Sequence, residues 1–471
     1  LKPFWLRPTG QARPPPPGPA PPAAAMRYAV TGAGGHIGRL LCKRLLEEEG
    51  TEEVRAIDLR LGSLQGPEDR LRLLPLSITD GRAVHEALEG CDAVFHLASY
   101  GMSGGPMLDW PRCTAVNVGG TENVVRACDA HGVKALVHTS TANVIHGGRR
   151  VVAGDETTPA APLDAHTDAY GPTKAAAERI VLESQSPSLA RCVLRPAAIY
   201  GPTEERHLPR FAAAIRLRAF IFTFGAKDVL VDWVHADNFV DAQLLAARAL
   251  LRDGPAGKAS GEAFFISDDL PMNNFEFLRP LFEELGAGFP SLDLSTGFML
   301  RVARVCELLY AGLRLPPFIT RAEALTAGET HYFSIAKARE VLGYQPVLDE
   351  GTRSLRHAAR CLVQRAEAAP VVPPAWYWWA IIPSGLSALY AAVYKPGLVP
   401  PITQLGLLIF QRPAVLKLVW HSACFAHAAE GAAATLICVS RGYRASRTAG
   451  WGLQTFLLGL ASMRELLRMP A

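Results

Sequence analysis

MRYAVTGAGGHIGRLLCKRLLEEEG, residues 26–50, reads as a short apolar strand, a glycine-rich turn and a helix with apolar residues at helical spacing. A strand that runs through such a turn into a helix start makes an anion site. Unpaired backbone N–H groups and the helix dipole both favour negative charge there. Gly32, Gly35 and Gly38 stand three residues apart. Gly32 allows the tight turn, Gly35 lets the backbone approach a pyrophosphate, and Gly38 permits close packing of helix on strand. His36 and Ile37 complete the candidate cofactor-binding turn. The pattern GxxGxxG is a variant of the dinucleotide fingerprint. Asp58, 20 residues beyond Gly38, ends the second strand (VRAIDL). A carboxylate there can hold both ribose hydroxyls of an adenosine and would repel a 2′-phosphate. NAD is therefore favoured, while Arg60 two residues on keeps NADP open.

Outward from this stretch, strand-like and helix-like segments alternate as far as residue 366. Such alternation predicts an α/β fold, a Rossmann-like doubly wound parallel sheet with a smaller substrate-binding part. The chain has 471 residues, room for two or three domains. A net charge of +4 gives no reason to expect a nucleic-acid partner. Nine cysteines are scattered without a CxxC, which favours reduced thiols over disulfides and gives no metal site. Residues 1–25 form a proline-rich arm without the apolar run of a signal peptide.

YGPTK, residues 170–174, lies about 140 residues after the glycine turn. Tyr170 and Lys174 are four apart, on one face of a helix. A tyrosine with an ordinary pKa of about 10 is a poor base at neutral pH. A neighbouring ammonium favours its phenolate, and Lys174 can also hold the nicotinamide ribose. The preceding strand, ALVHTSTANVI, offers Ser140 and Thr141 as the hydroxyl that orients a substrate oxygen.

With these motifs the chain resembles an extended short-chain dehydrogenase/reductase, close to the 3β-hydroxysteroid dehydrogenase group and most similar to family 42E. The resemblance spans about residues 26–365. It also rests on HLAS (96–99), NVGGTENVV (117–125), LRPAAIYGP (194–202), VDWVHADN (231–238) and YFSIAKAREVLGYQP (332–346). It implies that Thr141 occupies the position of the active-site serine, with Ser140 the alternative. Asn117 matches a helix asparagine that supports the site. PLSITD departs from the pattern: Ser77 stands where an aspartate should face the adenine, leaving Asp80 nearby.

After a linker at 367–375 the composition shifts. Residues 376–394 carry no charge, and 19 residues at about 1.5 Å each approach the ~30 Å of a bilayer core. Further spans are expected around 414–439 and 449–463, making about three transmembrane helices in 376–471. Three arginines in RGYRASRT (441–448) place that loop, and with it the enzyme domain, on the cytoplasmic side. The steroid resemblance implies the endoplasmic reticulum. His427 and Glu430 lie one turn apart inside a span, either a functional group or helix–helix glue.

The segment after Tyr200 is rich in Phe, Ile and Ala and suits an apolar substrate. Residues 297–313 are amphipathic and are expected to pack on the domain in preference to touching a membrane. These readings make the chain a membrane-anchored NAD(P)-dependent oxidoreductase for an alcohol or ketone of a lipophilic compound, with a 3β-hydroxysteroid as leading substrate. Its expected partners are that small molecule and a membrane, with homodimerisation left open. The alternatives are a nucleotide-sugar epimerase or dehydratase and a non-catalytic dinucleotide-binding scaffold.

Overall fold

The structure, a computed structural model, describes residues 25–62, 64–204, 207–348, 354–368, 371–375, 377–404 and 412–469. Nearly all of the proline-rich arm, and part of the linker, lie outside these residues.

Strands β1 (Met26–Thr31), β2 (Thr51–Ile57), β3 (Leu71–Leu74), β4 (Ala93–His96), β5 (Ala135–Thr139), β7 (Ala190–Pro196) and β11 (Glu262–Ile266) form one sheet in the order β11-β7-β5-β4-β1-β2-β3. Every pairing in it is parallel. Strand order reverses between β1 and β4, so the ligand crevice opens at their carboxyl ends. Both faces are covered. Helices α1 (His36–Glu47) and α6 (Ala236–Asp253) contribute Leu41, Leu45, Phe239 and Leu250 to the core on one side. Helices α2 (Gly81–Leu88), α3 (Gly120–Ala130) and α4 (Tyr170–Leu182) contribute Val84, Val124 and Val181 on the other. Near-continuous apolar strands such as β4, buried at all four positions, follow from this double cover.

The smaller part is built from three two-stranded parallel pairs. These are β6 (Val151–Gly154) with β13 (His331–Phe333), β8 (Ala198–Tyr200) with β10 (Trp233–His235), and β9 (Phe222–Phe224) with β12 (Leu292–Leu294). Around them lie α5 (His207–Arg216), α7 (Arg279–Glu284), α8 (Thr296–Leu313), α9 (Arg321–Gly328) and α10 (Leu355–Ala368). A cluster of Tyr200, Leu208, Phe277, Phe282 and Leu362 knits α5, α7 and α10 together. Helix α8 packs on the domain through Met299 and Ala303 and leaves its opposite face exposed.

The carboxyl-terminal region contains α11 (Tyr377–Tyr394), α12 (Pro413–Arg441), α13 (Ala445–Leu458) and α14 (Leu460–Arg468). Among the described residues one helix, α12, is long and apolar enough to cross a membrane. The three expected spans map onto these helices unequally. Helix α11 covers 377–394 of the first expected span as 18 uncharged residues, with Pro383 inside it. The segment 449–463 is broken at Gly459, whose φ of 57° ends α13 and starts α14. A side chain there would meet Glu430 Oε2 at 2.8 Å and His427 Cε1 at 3.1 Å. His427 Nδ1 bonds the carbonyl of Phe456 at 2.9 Å. His427 and Glu430 therefore brace the helix break. The region also touches the substrate part, where Arg216 of α5 donates to the Ser440 carbonyl at 3.2 Å, at the end of α12.

Candidate active site

The glycine turn has the shape a dinucleotide needs. Gly32 adopts φ 76°, and a Cβ on it would lie 2.7 Å from the Ala98 nitrogen. On Gly38 a Cβ would lie 2.2 Å from the Gly32 carbonyl oxygen, so α1 can sit this close only without a side chain. Gly35 precedes α1 without a side-chain cap, and no acidic residue stands in the first turn of His36, Ile37 and Gly38. The amino end is left for an anion, as a pyrophosphate would require. Asp58 is anchored by the Gly34 and Arg60 N–H groups, each at 3.1 Å. Its carboxylate is thus fixed beside the turn, where the ribose of an adenosine would lie. Asp80 does not replace the aspartate missing at Ser77: it caps α2, accepting from Arg82 and Ala83 N–H.

Across the crevice, the first turn of α4 is tied to the end of β5. Lys174, 1% exposed, donates from Nζ to the Thr139 carbonyl at 2.6 Å and lies 3.3 Å from His138 Nε2. Burial lowers its pKa from 10.5 to about 7, against a smaller upward pull from Glu178. Tyr170 is buried one turn earlier on the same helix, and the strand to which Lys174 is tied runs on into Ser140 and Thr141.

The two hydroxyls are not equivalent. Ser140 Oγ donates to Glu178 Oε2 at 2.8 Å, and Glu178 is held in a buried ion pair by Arg195. The Ser140 hydroxyl hydrogen is thereby committed to a structural network inside the protein. Among the described residues Thr141 Oγ1 has only a long contact, from the Asn143 N–H at 3.3 Å, so its hydroxyl can still donate to a substrate oxygen. Asn117, 1% exposed, accepts from Tyr100 N–H and donates to the Tyr100 carbonyl and to Thr173 Oγ1. It straps the loop after β4 to the residue before Lys174.

A second buried network was not legible in the motifs. Ala98 N–H donates to Thr31 Oγ1, and Thr31 Oγ1 lies 2.7 Å from His96 Nδ1. His96 Nε2 lies 2.9 Å from Thr121 Oγ1, which donates to the Asn117 carbonyl at 2.6 Å. This order makes Nε2 the protonated nitrogen of His96. Burial, with Lys174 nearby, lowers the His96 pKa to about 3, so the ring stays neutral. His96 and His138 are direct partners in the β4–β5 register, with ring centroids 4.9 Å apart. Their sequence signal, a histidine on each of two apolar strands, gains meaning only when the strands are adjacent.

The comparisons with known proteins agree with this geometry. Residues 29–295 match the model of the 3-beta hydroxysteroid dehydrogenase/isomerase family, and 377–468 match that of Transmembrane protein 254. Short-chain dehydrogenase/reductase family 42E member 1 from Danio rerio is 43% identical over 333 residues, 68% of this chain and 85% of its own. A Mycobacterium tuberculosis 3 beta-hydroxysteroid dehydrogenase/Delta 5→4-isomerase is 34% identical over 327 residues, covering 68% and 86%. Among solved structures, the UDP-glucose 4-epimerase of Thermotoga maritima shares the fold with a TM-score of 0.57. It is 22% identical, and the match covers 73% of this chain and all of that one. UDP-glucuronic acid 4-epimerase from Bacillus cereus, solved with NAD, gives 0.56 at 20% identity, covering 72% and 99%. Fold, site and relatives together place the chain in the 3-beta hydroxysteroid dehydrogenase/isomerase family of extended short-chain dehydrogenase/reductases, as an NAD(P)-dependent oxidoreductase.

Proposed function

We propose that this oxidoreductase works at a membrane and interconverts the alcohol and ketone of a lipophilic ring compound, a 3β-hydroxysteroid, with NAD as its partner. The cofactor supplies the carbon that accepts or returns hydride. Tyr170 takes the hydroxyl proton in the oxidative direction and gives it back in the reductive one. Lys174, held against Thr139, favours the Tyr170 phenolate when charged. Thr141 donates to the reacting oxygen, while Asn117 keeps the loop after β4 and the first turn of α4 in register. Asp58 selects the unphosphorylated ribose.

The observation that carries this reading is the bond of Lys174, one turn after Tyr170, to the Thr139 carbonyl two residues before Thr141, in a chain 34% identical to a named 3 beta-hydroxysteroid dehydrogenase. Helix α12 and the match of 377–468 support a membrane location, with the cytoplasmic face of the endoplasmic reticulum proposed for the enzyme part. The test is NADH formation by the full chain in lipid vesicles supplied with NAD and a panel of 3β-hydroxysterols. Turnover that Tyr170→Phe abolishes supports the reading. Turnover of a UDP-sugar with none of any sterol would replace it with the epimerase alternative.

A further inference from the structure

Helix α5 stands between the carboxyl-terminal region and the catalytic loop. Its Leu208, Ala212 and Ile215 pack into the cluster that also holds Tyr200, Phe277 and Leu362. Beside that buried face, Arg210 lies 3.6 Å from Glu323 Oε1. The same oxygen accepts from the Gly104 N–H at 3.1 Å. Three residues on, the Met107 carbonyl accepts from the N–H of Ala169, the residue before Tyr170. Helix α5 is thus linked, through Glu323 and residues 104–107, to the start of the catalytic helix.

On its other side α5 meets α12. Arg216, in the last turn of α5, donates from Nη1 to the Ser440 carbonyl, one of those that α12 leaves free at its carboxyl end. The negative pole of a helix suits a guanidinium. Arg216 is half-buried, and burial lowers its pKa from the ordinary arginine value. Among the described residues no carboxylate pairs with it, so the helix end supplies the counter-charge. Gly442 completes the contact. Its φ of 74° closes α12, and a Cβ on it would fall within 2.6 Å of Arg216 Nε, Cζ and Nη2. Backbone and guanidinium therefore both require glycine there.

Helix α10 makes a second tie. Ala358 and Leu362 lie in the α5 cluster, and Ala366, one turn on, lies with Cys438 of α12 and Trp451 of α13. The linker follows the same surface, where Gln454 of α13 donates to the Val372 carbonyl at 3.1 Å. A region that served only as an anchor on a free tether would need neither tie.

We propose that the carboxyl-terminal region is a working part of the enzyme, in which the end of α12 clamps α5 through Arg216 and Gly442 and so sets the substrate side of the active site. Arg216 is a positioning residue, because it acts through α5. The clamp rests on these contacts alone; its effect on a sterol rests on the function proposed above.

The test measures amide hydrogen exchange of the full chain in lipid vesicles for the parent, Arg216→Gln, Gly442→Ala and the double variant. Each single change should speed exchange in residues 207–216 and 104–107 by about tenfold, while β1 and α1 keep their parent rates. The double variant should match the faster single one, because both changes remove the same contact. With sterol and NAD, each change should lower kcat/KM by about tenfold at unchanged NAD affinity. Parent rates at 104–107 in the variants, or additive effects in the double variant, overturn the clamp. Faster exchange that extends to β1 and α1 is general loosening and equally overturns it. Faster exchange confined to the two segments, without turnover of any sterol, leaves the clamp standing and removes the proposed substrate.

Discussion

Helix α4 buries eight of its 13 residues, whereas α12 buries four of its 29. The first belongs to a domain that places apolar side chains inside and answers its buried charges one by one, as Arg195 answers Glu178. The second turns Phe425, Leu418 and Leu436 outward, with exposures of 77%, 64% and 58%. One chain thus carries helices suited to two solvents. The contrast teaches where the chemistry must sit. Proton transfer needs groups fixed by a dense interior, and among the described residues after 376 the buried polar groups are Thr448, Gln454, Thr455 and Ser462, none of them charged.

The contrast can be broken most forcefully at the catalytic helix. Tyr170→Phe removes the proton acceptor and should lower turnover by about 10³-fold with NAD binding unchanged, measured by single-turnover kinetics and cofactor fluorescence. Loss of the cofactor site along with turnover would mean that Tyr170 holds the fold and not the proton.

A smaller effect is expected at the cofactor. Asp58→Ala should shift the preference from NAD towards NADP by about tenfold, roughly one hydrogen bond to a charged group. An unchanged ratio of the two binding constants would remove Asp58 from cofactor selection.

Lys174 gives a pH signature. Its pKa falls from 10.5 to about 7 on burial, so the unfolded chain keeps a proton that the folded chain has released. Stability should therefore rise as pH climbs from about 7 towards 10.5, with the full penalty present below about 7. Lys174→Met should flatten that slope in the melting temperature of the full chain, whereas a parallel curve would mean Lys174 is not desolvated.

The smallest effect belongs to the membrane region. Gly459→Ala forces a side chain into a positive φ and against Glu430, and should destabilise the packing of α12 with α13 by about 1–2 kcal/mol. Limited proteolysis after residue 440 should accelerate while NAD affinity stays constant. A matching fall in NAD affinity would show that the two regions share more than the Arg216–Ser440 contact.

The parts that sequence made legible are those fixed by local backbone rules. Gly32 and Gly38 are needed by one turn and one close approach, and Asp58 follows at the end of the next strand. Tyr170 and Lys174 share a helix face by spacing alone. The choice between Ser140 and Thr141 was not legible, because it depends on Glu178 and Arg195, partners 38 and 55 residues further on. Likewise the histidines of β4 and β5 meet only through strand order. In the membrane region the error came from the opposite side. Composition counts apolar residues but does not see the dihedral angles at Gly459, so a broken pair of helices was read as one span. For α8, amphipathicity was visible, but which face the domain covers was not.

Of the two adjacent hydroxyls, Thr141 works while Ser140 is held away. The direct measurement is the rate of NADH formation by Thr141→Ala and Ser140→Ala side by side, with melting temperatures taken on the same samples. A loss of about 10²-fold is expected for Thr141→Ala at unchanged stability, and for Ser140→Ala a lowered melting temperature with little change in rate. A rate lost at Ser140 and kept at Thr141 would contradict it.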